Sequence, residues 1–147
     1  MENWRSTLLD LWLHIDIADE FAVLLSIQNA AGALGFDYVA YALRLPLPIT
    51  NPKVMAISSY PARWRQRYEQ QGYVAIDPIL VHGWRSRVPL IWTDDVFQNT
   101  PIFRQEAKAE GVNFGWSQSS IDTHGLVGVL SLARASSELT HAELKTK

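Results

Sequence analysis

Three aromatic residues that carry polar groups recur every four positions in the middle of the chain, at Tyr60, Trp64 and Tyr68. At about 100° per residue in a helix, this spacing offsets successive side chains by only about 40°, so the three form a stripe on one helix face. Such a stripe is most often ordinary hydrophobic core. Two phenols and an indole, however, have donors that need partners when buried. We therefore expect the stripe to point donors at a ligand that carries carbonyl groups.

A carboxylate follows the stripe at Asp77, directly before Pro78. Asp before a proline that opens a helix is commonly the N-cap of that helix. If the carboxylate also faces a desolvated cavity, it can accept a hydrogen bond from a ligand N–H, a charge-assisted bond worth about 1.5 to 3 kcal/mol. The two uses are compatible, and the sequence leaves both open.

The other reactive side chains do not form a pattern that predicts catalysis or metal binding. The chain has no cysteine, no Gly-rich phosphate loop and no nucleophile elbow. The histidines are scattered without metal-ligand spacing, at His14, His82, His124 and His141. We therefore expect neither an enzyme nor a site for a metal or cofactor.

Length and composition bound the remaining possibilities. The chain has 147 residues and 16.6 kDa, which predicts one domain, and its 48% hydrophobic content is enough for a sizeable core. A net charge of -2 supplies no broad field for nucleic acid or an anionic membrane. No leader segment and no run of about 18 apolar residues is evident, which predicts a cytoplasmic protein. Six tryptophans, five tyrosines and five phenylalanines exceed what so small a core needs.

Hydrophobic periodicity, together with the glycines and prolines that end helices and strands, predicts the elements that would position these residues. The last strand is apolar on both faces, so it should be covered by a layer on each side. We expect an α/β fold, an α/β/α sandwich with a central antiparallel sheet of about five strands and helices on both faces. The predicted helices cover 4–15, 19–28, 61–71, 78–83, 101–111 and the first turns of 137–147. Glycine is common just after a helix, and the predicted ends of the second to fifth helices are marked by Gly35, Gly72, Gly83 and Gly111. The predicted strands cover 36–45, 54–58, 89–92, 112–121 and 126–133, the last two joined by a turn at 122–125.

The run Tyr60-Pro61-x-x-Trp64-x-x-x-Tyr68, followed by Asp77-Pro78, Trp92 and Gly115, resembles the autoinducer-binding domain of LuxR-type quorum-sensing transcription regulators. The resemblance extends to Gly35-Phe36-Asp37-Tyr38 and Leu130-Ser131-Leu132, and so covers nearly the whole chain. It implies a bacterial signal receptor with an α/β/α fold. The ligand would be an N-acyl-homoserine lactone, held without catalysis between the sheet and one helical layer.

The resemblance also implies roles for individual residues. The indole N–H of Trp64 would donate to the lactone carbonyl, and Asp77 would accept the amide N–H. Tyr60 and Ser131 would hold the amide carbonyl. Ser131 suits this role because it is the one polar side chain on the strand face that it shares with hydrophobic residues.

The walls of the implied pocket come from further aromatic and small residues. Tyr68 would line the acyl chain, and the lactone end would be walled by Trp92, Phe97 and Phe103. Weaker lining candidates are Ser117, Val39 and Ile79. These positions predict no acyl-chain length.

Full-length regulators of this family carry a C-terminal helix-turn-helix domain, and the chain ends before one. We therefore interpret residues 1–147 as an autoinducer-binding domain truncated at its C-terminus, a homodimer by resemblance, with DNA contacted only through the missing domain. An alternative stays open. The same fold, its pocket filled by its own aromatic residues, could be a ligand-independent dimerisation or interaction module that modulates a full-length regulator.

Overall fold

A computed structural model describes residues 17–44, 54–121, 123 and 125–136. The predicted helices over 4–15 and 137–147, the segment 45–53 before the second strand, and two of the four residues of the predicted turn at 122–125 lie outside the described residues. Within the described ranges, short 3-10 helices occur at Tyr73–Ala75 and Asp94–Phe97. The α-helices are α1 (Ile17–Ala33), α2 (Ala62–Gln70), α3 (Pro78–Arg85) and α4 (Pro101–Ala109). The strands are β1 (Tyr38–Arg44), β2 (Val54–Ser58), β3 (Leu90–Ile91), β4 (Phe114–Ile121) and β5 (Val127–Arg134).

The strands form one antiparallel sheet in the order β2-β1-β5-β4-β3. The central strand is β5, which pairs with β1 on one side and β4 on the other, so that Ser131 lies between Ala40 and Ser117. All eight residues of β5 are buried, as its apolar character on both faces predicts. The predicted five-stranded antiparallel sheet is confirmed.

The two faces of the sheet carry two separate hydrophobic cores. Side chains alternate along a strand, so β5 sends Val129 and Ala133 into the first core and Leu130 and Leu132 into the second. The first core also contains residues of α2, α3 and α4. The second packs against α1, which contacts β1 and β2. Helices therefore cover both faces, in agreement with the predicted sandwich.

Glycines follow three helices where the sequence predicts a helix end, and a fourth glycine does not end its helix. Gly35, with φ of 90°, follows α1, Gly72, with φ of 63°, follows α2, and Gly111 follows α4. Gly83 was predicted to close the helix that Pro78 opens, but α3 continues to Arg85. Gly83 lies inside α3, and a Cβ placed there would collide with the side chain of Val129. Its lack of a side chain serves the close approach of α3 to the sheet rather than a helix end.

Candidate ligand-binding site

A small cavity lies within the first core, with a volume of about 30 Å³. Its wall is made mainly by residues of α2, α3 and α4 and of the loops between them. The lining residues are Tyr60, Trp64, Tyr68, Asp77, Ile79, Trp92, Phe97, Phe103, Arg104, Ala107 and Val112. A wall so rich in aromatic rings, with a few polar groups among them, is typical of a small-molecule site.

The aromatic stripe forms one wall of this cavity. Trp64 is only 2% exposed, and its ring meets those of Tyr68 and Phe103 edge to face at centroid distances of 5.8 and 5.5 Å. The arginines between the stripe positions are exposed. The stripe is therefore both core and cavity wall, so the structural and the ligand-facing interpretations hold together.

Asp77 is buried at the N-terminus of α3 and bonds through both carboxylate oxygens. Oδ1 accepts a hydrogen bond from the backbone N–H of Ile79 at 2.9 Å, which makes Asp77 the predicted N-cap. Oδ2 accepts from the hydroxyl of Tyr68 at 2.7 Å. Burial raises the pKa of Asp77 to about 6, although the hydrogen bonds from Tyr68, Ile79 and the backbone of Leu80 act to lower it. Because each carboxylate oxygen has two lone pairs, Asp77 keeps capacity to accept from a ligand.

The two phenols at the cavity remain protonated donors at physiological pH. Burial, and secondarily the negative charge of Asp77, raise the pKa of Tyr60 above its ordinary value. The same two causes, in the same order, raise the pKa of Tyr68. Both groups are therefore phenols rather than phenolates: Tyr60 can offer its O–H to whatever occupies the cavity, whereas the O–H of Tyr68 is already donated to Asp77.

A chain of hydrogen bonds runs behind the cavity wall from Trp92 into the sheet. The indole Nε1 of Trp92 donates to Ser117 Oγ at 2.9 Å, and Ser117 Oγ lies 2.7 Å from Ser131 Oγ. Strands β4 and β5 pair these two serines directly. Trp92 therefore presents its ring to the cavity while its N–H is used inside the protein.

Most of the predicted site residues line the cavity, but three do not. The two serines reach it only through Trp92. The placement of Val39 is corrected, because its side chain lies in the second core on the opposite face of the sheet. Strand alternation is the reason: Val39 shares its face with Tyr41 and Leu43, whereas Ala42 points into the first core.

Sequence reasoning missed three lining residues, Arg104, Ala107 and Val112. Helical spacing from Phe103 gives Ala107 as a buried position, but a charged residue at 104 looks like solvated surface. Arg104 is nevertheless only 8% exposed. Its guanidinium carbon lies 4.4 Å from the centre of the Phe97 ring, and burial lowers its pKa.

An ion pair joins α2 to α4 outside the cavity. Nε and Nη2 of Arg67 donate to the carboxylate of Glu106, with an Nη2–Oε2 distance of 2.7 Å. The hydroxyl of Tyr73 bonds the same carboxylate. Hydrogen bonds from Arg67, then from Tyr73, lower the pKa of Glu106. The pair thus ties together two of the helices that form the cavity wall.

The described ranges contain no cluster of three or more His, Cys, Asp or Glu side chains placed to bind a metal ion. None of their helices is both long and apolar enough to cross a membrane.

The family described as "autoinducer binding domain" matches residues 19–146 of the chain. The chain belongs to this family. It is 38% identical to the transcriptional activator protein AnoR of Acinetobacter nosocomialis over 149 residues, which cover 100% of this chain and 62% of AnoR. The domain thus spans about three fifths of AnoR, and about half of the similar SolR of Ralstonia solanacearum, at 53%.

Solved structures of related regulators share the fold. The N-acylhomoserine lactone dependent LuxR family factor CepR2 of Burkholderia cenocepacia has a TM-score of 0.74 at 35% identity, covering 82% of this chain and 71% of CepR2. Escherichia coli SdiA in complex with octanoyl-rac-glycerol has a TM-score of 0.76 at 32% identity, covering 97% of this chain and 59% of SdiA. The resemblance to the autoinducer-binding domain of LuxR-type quorum-sensing regulators is confirmed, and the interaction-module alternative is not favoured.

Proposed function

We propose that this domain binds an N-acyl-homoserine lactone, without catalysis, in the cavity lined by Trp64 and Asp77. The observation that carries the proposal is that one cavity has an indole, two phenols and a buried carboxylate in a wall that is otherwise apolar. An acyl-homoserine lactone offers one N–H, two carbonyl oxygens and a hydrocarbon chain, which match those groups. The lactone dependence of the similar CepR2 supports the same ligand class.

The proposed roles follow from the polarity of each group. Asp77 accepts the amide N–H, since it is the buried acceptor of the cavity, and Trp64 donates to the lactone carbonyl. Tyr60 donates to the amide carbonyl, and Tyr68 contacts the acyl chain while its hydroxyl holds Asp77. Ser131 would join Tyr60 at the amide carbonyl only after the site rearranges, because Ser131 does not line the cavity and its Oγ lies against Ser117 Oγ.

Binding requires the cavity wall to move outward. A volume of about 30 Å³ has room for roughly two or three waters, whereas small-molecule sites measure about 300 to 1,000 Å³. The rings of Trp64, Tyr68, Tyr73 and Phe103 fill the space in edge-to-face contact. We propose that the ligand separates these rings and takes over their apolar contacts.

Thermal unfolding of the domain with lactones from butanoyl to dodecanoyl tests the proposal. A ligand at about one hundred times its Kd adds about 2.7 kcal/mol and should raise Tm by about 5 to 10 °C. Each additional buried methylene adds about 0.8 kcal/mol until the acyl chain exceeds the space available, so the shift should pass through a maximum.

Two cavity variants and one surface variant make the test specific. Trp64→Phe and Asp77→Ala should each reduce the shift, whereas Gln66→Ala, an exposed position on the same helix as Trp64, should leave it unchanged. Absence of a shift with every lactone would contradict the proposal and favour the interaction module. A full shift with Asp77→Ala would contradict the assigned roles.

The relatives that this chain matches are longer than the chain, which spans 62% of AnoR and 53% of SolR. We propose that the domain acts as the sensor of a homodimeric transcription regulator, with DNA recognition in a part of the protein that this chain does not cover. Sedimentation of the chain with and without lactone tests the dimer. A monomer under both conditions would contradict it.

A further inference from the structure

Arg104 on α4 is a buried cation whose hydrogen bonds are incomplete. Its Nη1 donates to the backbone carbonyl of Asn113 at 2.6 Å, and its Nη2 lies 3.6 Å from Asp94 Oδ1. Its Nε is fully buried and has no hydrogen-bond partner among the residues that the structure describes. The same side chain lines the ligand cavity. A buried donor on a charged group is therefore left without an acceptor beside the proposed site.

The neighbouring aromatic ring does not supply what Nε lacks. Phe97 lies against the face of the guanidinium, at 4.4 Å from its central carbon, and stabilises the charge through its π-electrons. The N–H bonds lie in the guanidinium plane and need an acceptor at its edge. Native proteins rarely bury such a donor without a partner, because no hydrogen bond then replaces those that the donor loses when it leaves water. The unpaired donor points to a ligand acceptor.

We propose that Nε–H of Arg104 donates a hydrogen bond to an oxygen of the lactone ring, which makes Arg104 a specificity-determining residue for the head group. This inference rests on the proposed function. An unsubstituted acyl chain offers no acceptor, and the amide is assigned to Tyr60 and Asp77, so for such a ligand the lactone oxygens remain. Arg104 and Trp64 would then both donate hydrogen bonds to the lactone ring. Ligands without a carbonyl in the ring would bind less tightly.

A matched pair of variants isolates this donor. Arg104→Gln places an amide group at the position of Nε, whereas Arg104→Met places a methyl group there without a donor. Both variants lose the bonds to Asn113 and Asp94 equally. Their difference in ligand affinity therefore reports the N–H at the Nε position and not the structural contacts of the guanidinium.

The affinities are measured by titration calorimetry with two ligands. One is the lactone that gives the largest thermal shift in the wild type, and the other is the cyclopentyl amide with the same acyl chain, which lacks both lactone oxygens. We expect Arg104→Met to bind the lactone about 3- to 10-fold more weakly than Arg104→Gln. Both variants should bind the cyclopentyl amide equally.

Two results would overturn the inference. One is that the two variants bind the lactone with equal affinity, and the other is that their affinities for the cyclopentyl amide differ by the same factor as their affinities for the lactone. The inference would also be overturned if Asn113→Ala lost as much lactone affinity as Arg104→Met. Nε of Arg104 would then donate to Oδ1 of Asn113, which has no partner in the described part of the chain, rather than to the ligand. A wild type that binds no lactone would reject the proposed function itself, a separate result.

A measurement on the wild type covers the case in which a variant does not fold. In nitrogen-15 NMR spectra, the lactone should slow exchange of the Arg104 Nε–H with water, and the cyclopentyl amide should not. Equal exchange rates with the two ligands would overturn the inference.

Discussion

At the scale of single residues, Asp77 combines a structural and a ligand-facing role in one carboxylate. Its Oδ1 caps α3, and its Oδ2 holds the hydroxyl of Tyr68. These hydrogen bonds do not offset burial, since the pKa of Asp77 is raised to about 6. A ligand amide N–H needs the ionised form of the Asp77 carboxyl as its acceptor. Burial in the folded domain disfavours that ionised form.

The raised pKa predicts how stability depends on pH. A carboxyl whose pKa is about 6 when folded, against an ordinary 3.8, contributes stability that is fully present below 3.8 and is lost as pH rises through 6. The wild type should lose up to about 3 kcal/mol from this group between acid and neutral pH. Asp77→Asn should lack that dependence, as urea denaturation at pH 5 and pH 7 can show. The control variant Asp95→Asn changes an exposed carboxyl and should show the same pH dependence of stability as the wild type. If Asp77→Asn also shows the wild-type pH dependence, Asp77 is not its source.

The hydroxyl of Tyr68 should tune the same carboxyl. Its hydrogen bond lowers the pKa of Asp77, so Tyr68→Phe should move that pKa further above 6. Carbon-13 NMR titration of the Asp77 carboxyl measures the change directly. Tyr73→Phe is the matched control, because Tyr73 bonds Glu106 instead and should leave Asp77 unaltered. An unchanged Asp77 titration in Tyr68→Phe would show that this bond has no effect.

At the scale of elements, close backbone approaches set where the cavity wall lies. Gly115 on β4 packs beneath Trp92, so the ring of Trp92 lies directly against the strand. Gly83 allows the corresponding approach of α3 to β5. The sequence marked Gly83 as a helix end because glycine is common there, and only the packing partner distinguishes the two uses.

Gly115→Ala should therefore damage both stability and binding. A Cβ at this position would lie 2.6 Å from the Trp92 ring and 2.7 Å from the backbone oxygen of Leu132, which cannot move aside like a flexible side chain. We expect a loss of about 1 to 3 kcal/mol and a smaller lactone shift in thermal unfolding. Gly32→Ala on α1 has nothing within 4 Å of the new Cβ and should be neutral or stabilising by about 0.5 to 1 kcal/mol. Similar melting temperatures of the two variants would contradict the packing argument.

At the scale of the whole molecule, one sheet separates two hydrophobic cores, and the candidate ligand site lies in only one of them. The second core, between the sheet and α1, contains Tyr41 and Leu43 at 2% and 0% exposure. The first contains the cavity and the rings that a ligand would separate under the proposed function. Ligand binding would therefore rearrange the core on one face of the sheet and leave the core on the other face in place.

This arrangement predicts an order of hydrogen exchange. Amides of β5, which is paired on both sides and entirely buried, should exchange most slowly, and those of the edge strands β2 and β3 faster. A lactone should slow exchange in β5 through its effect on global unfolding, and in α2 and α4 through direct contact. Mass spectrometry of exchanged peptides measures both effects. Faster exchange in β5 than in β2 would contradict the order.

Much of this organisation could be predicted from local sequence, because local spacing fixes it. Periods of two and of 3.6 residues separate strands from helices, and a proline preceded by Asp77 marks a helix start. Strand β2 was predicted with its observed bounds, and the apolar character of both faces of β5 predicted the two covering layers. Spacing likewise put Trp64 and Tyr68 on one face, where the structure has them together at the cavity.

Tertiary contacts decided what local spacing cannot express. Val39 required the choice of a sheet face, and a strand has the same period whichever face is buried. The bonding of Trp92 to Ser117 depends on strand register, which joins residues distant in the chain. Arg104 is the clearest case. Its sequence position is that of a solvated charge, and only the packing of α4 against Phe97 and Asn113 turns it into a buried donor at the cavity. The sequence by itself determined which elements form and which polar aromatics share a face, whereas burial and hydrogen-bond partners come from contacts that form only when the whole chain is folded.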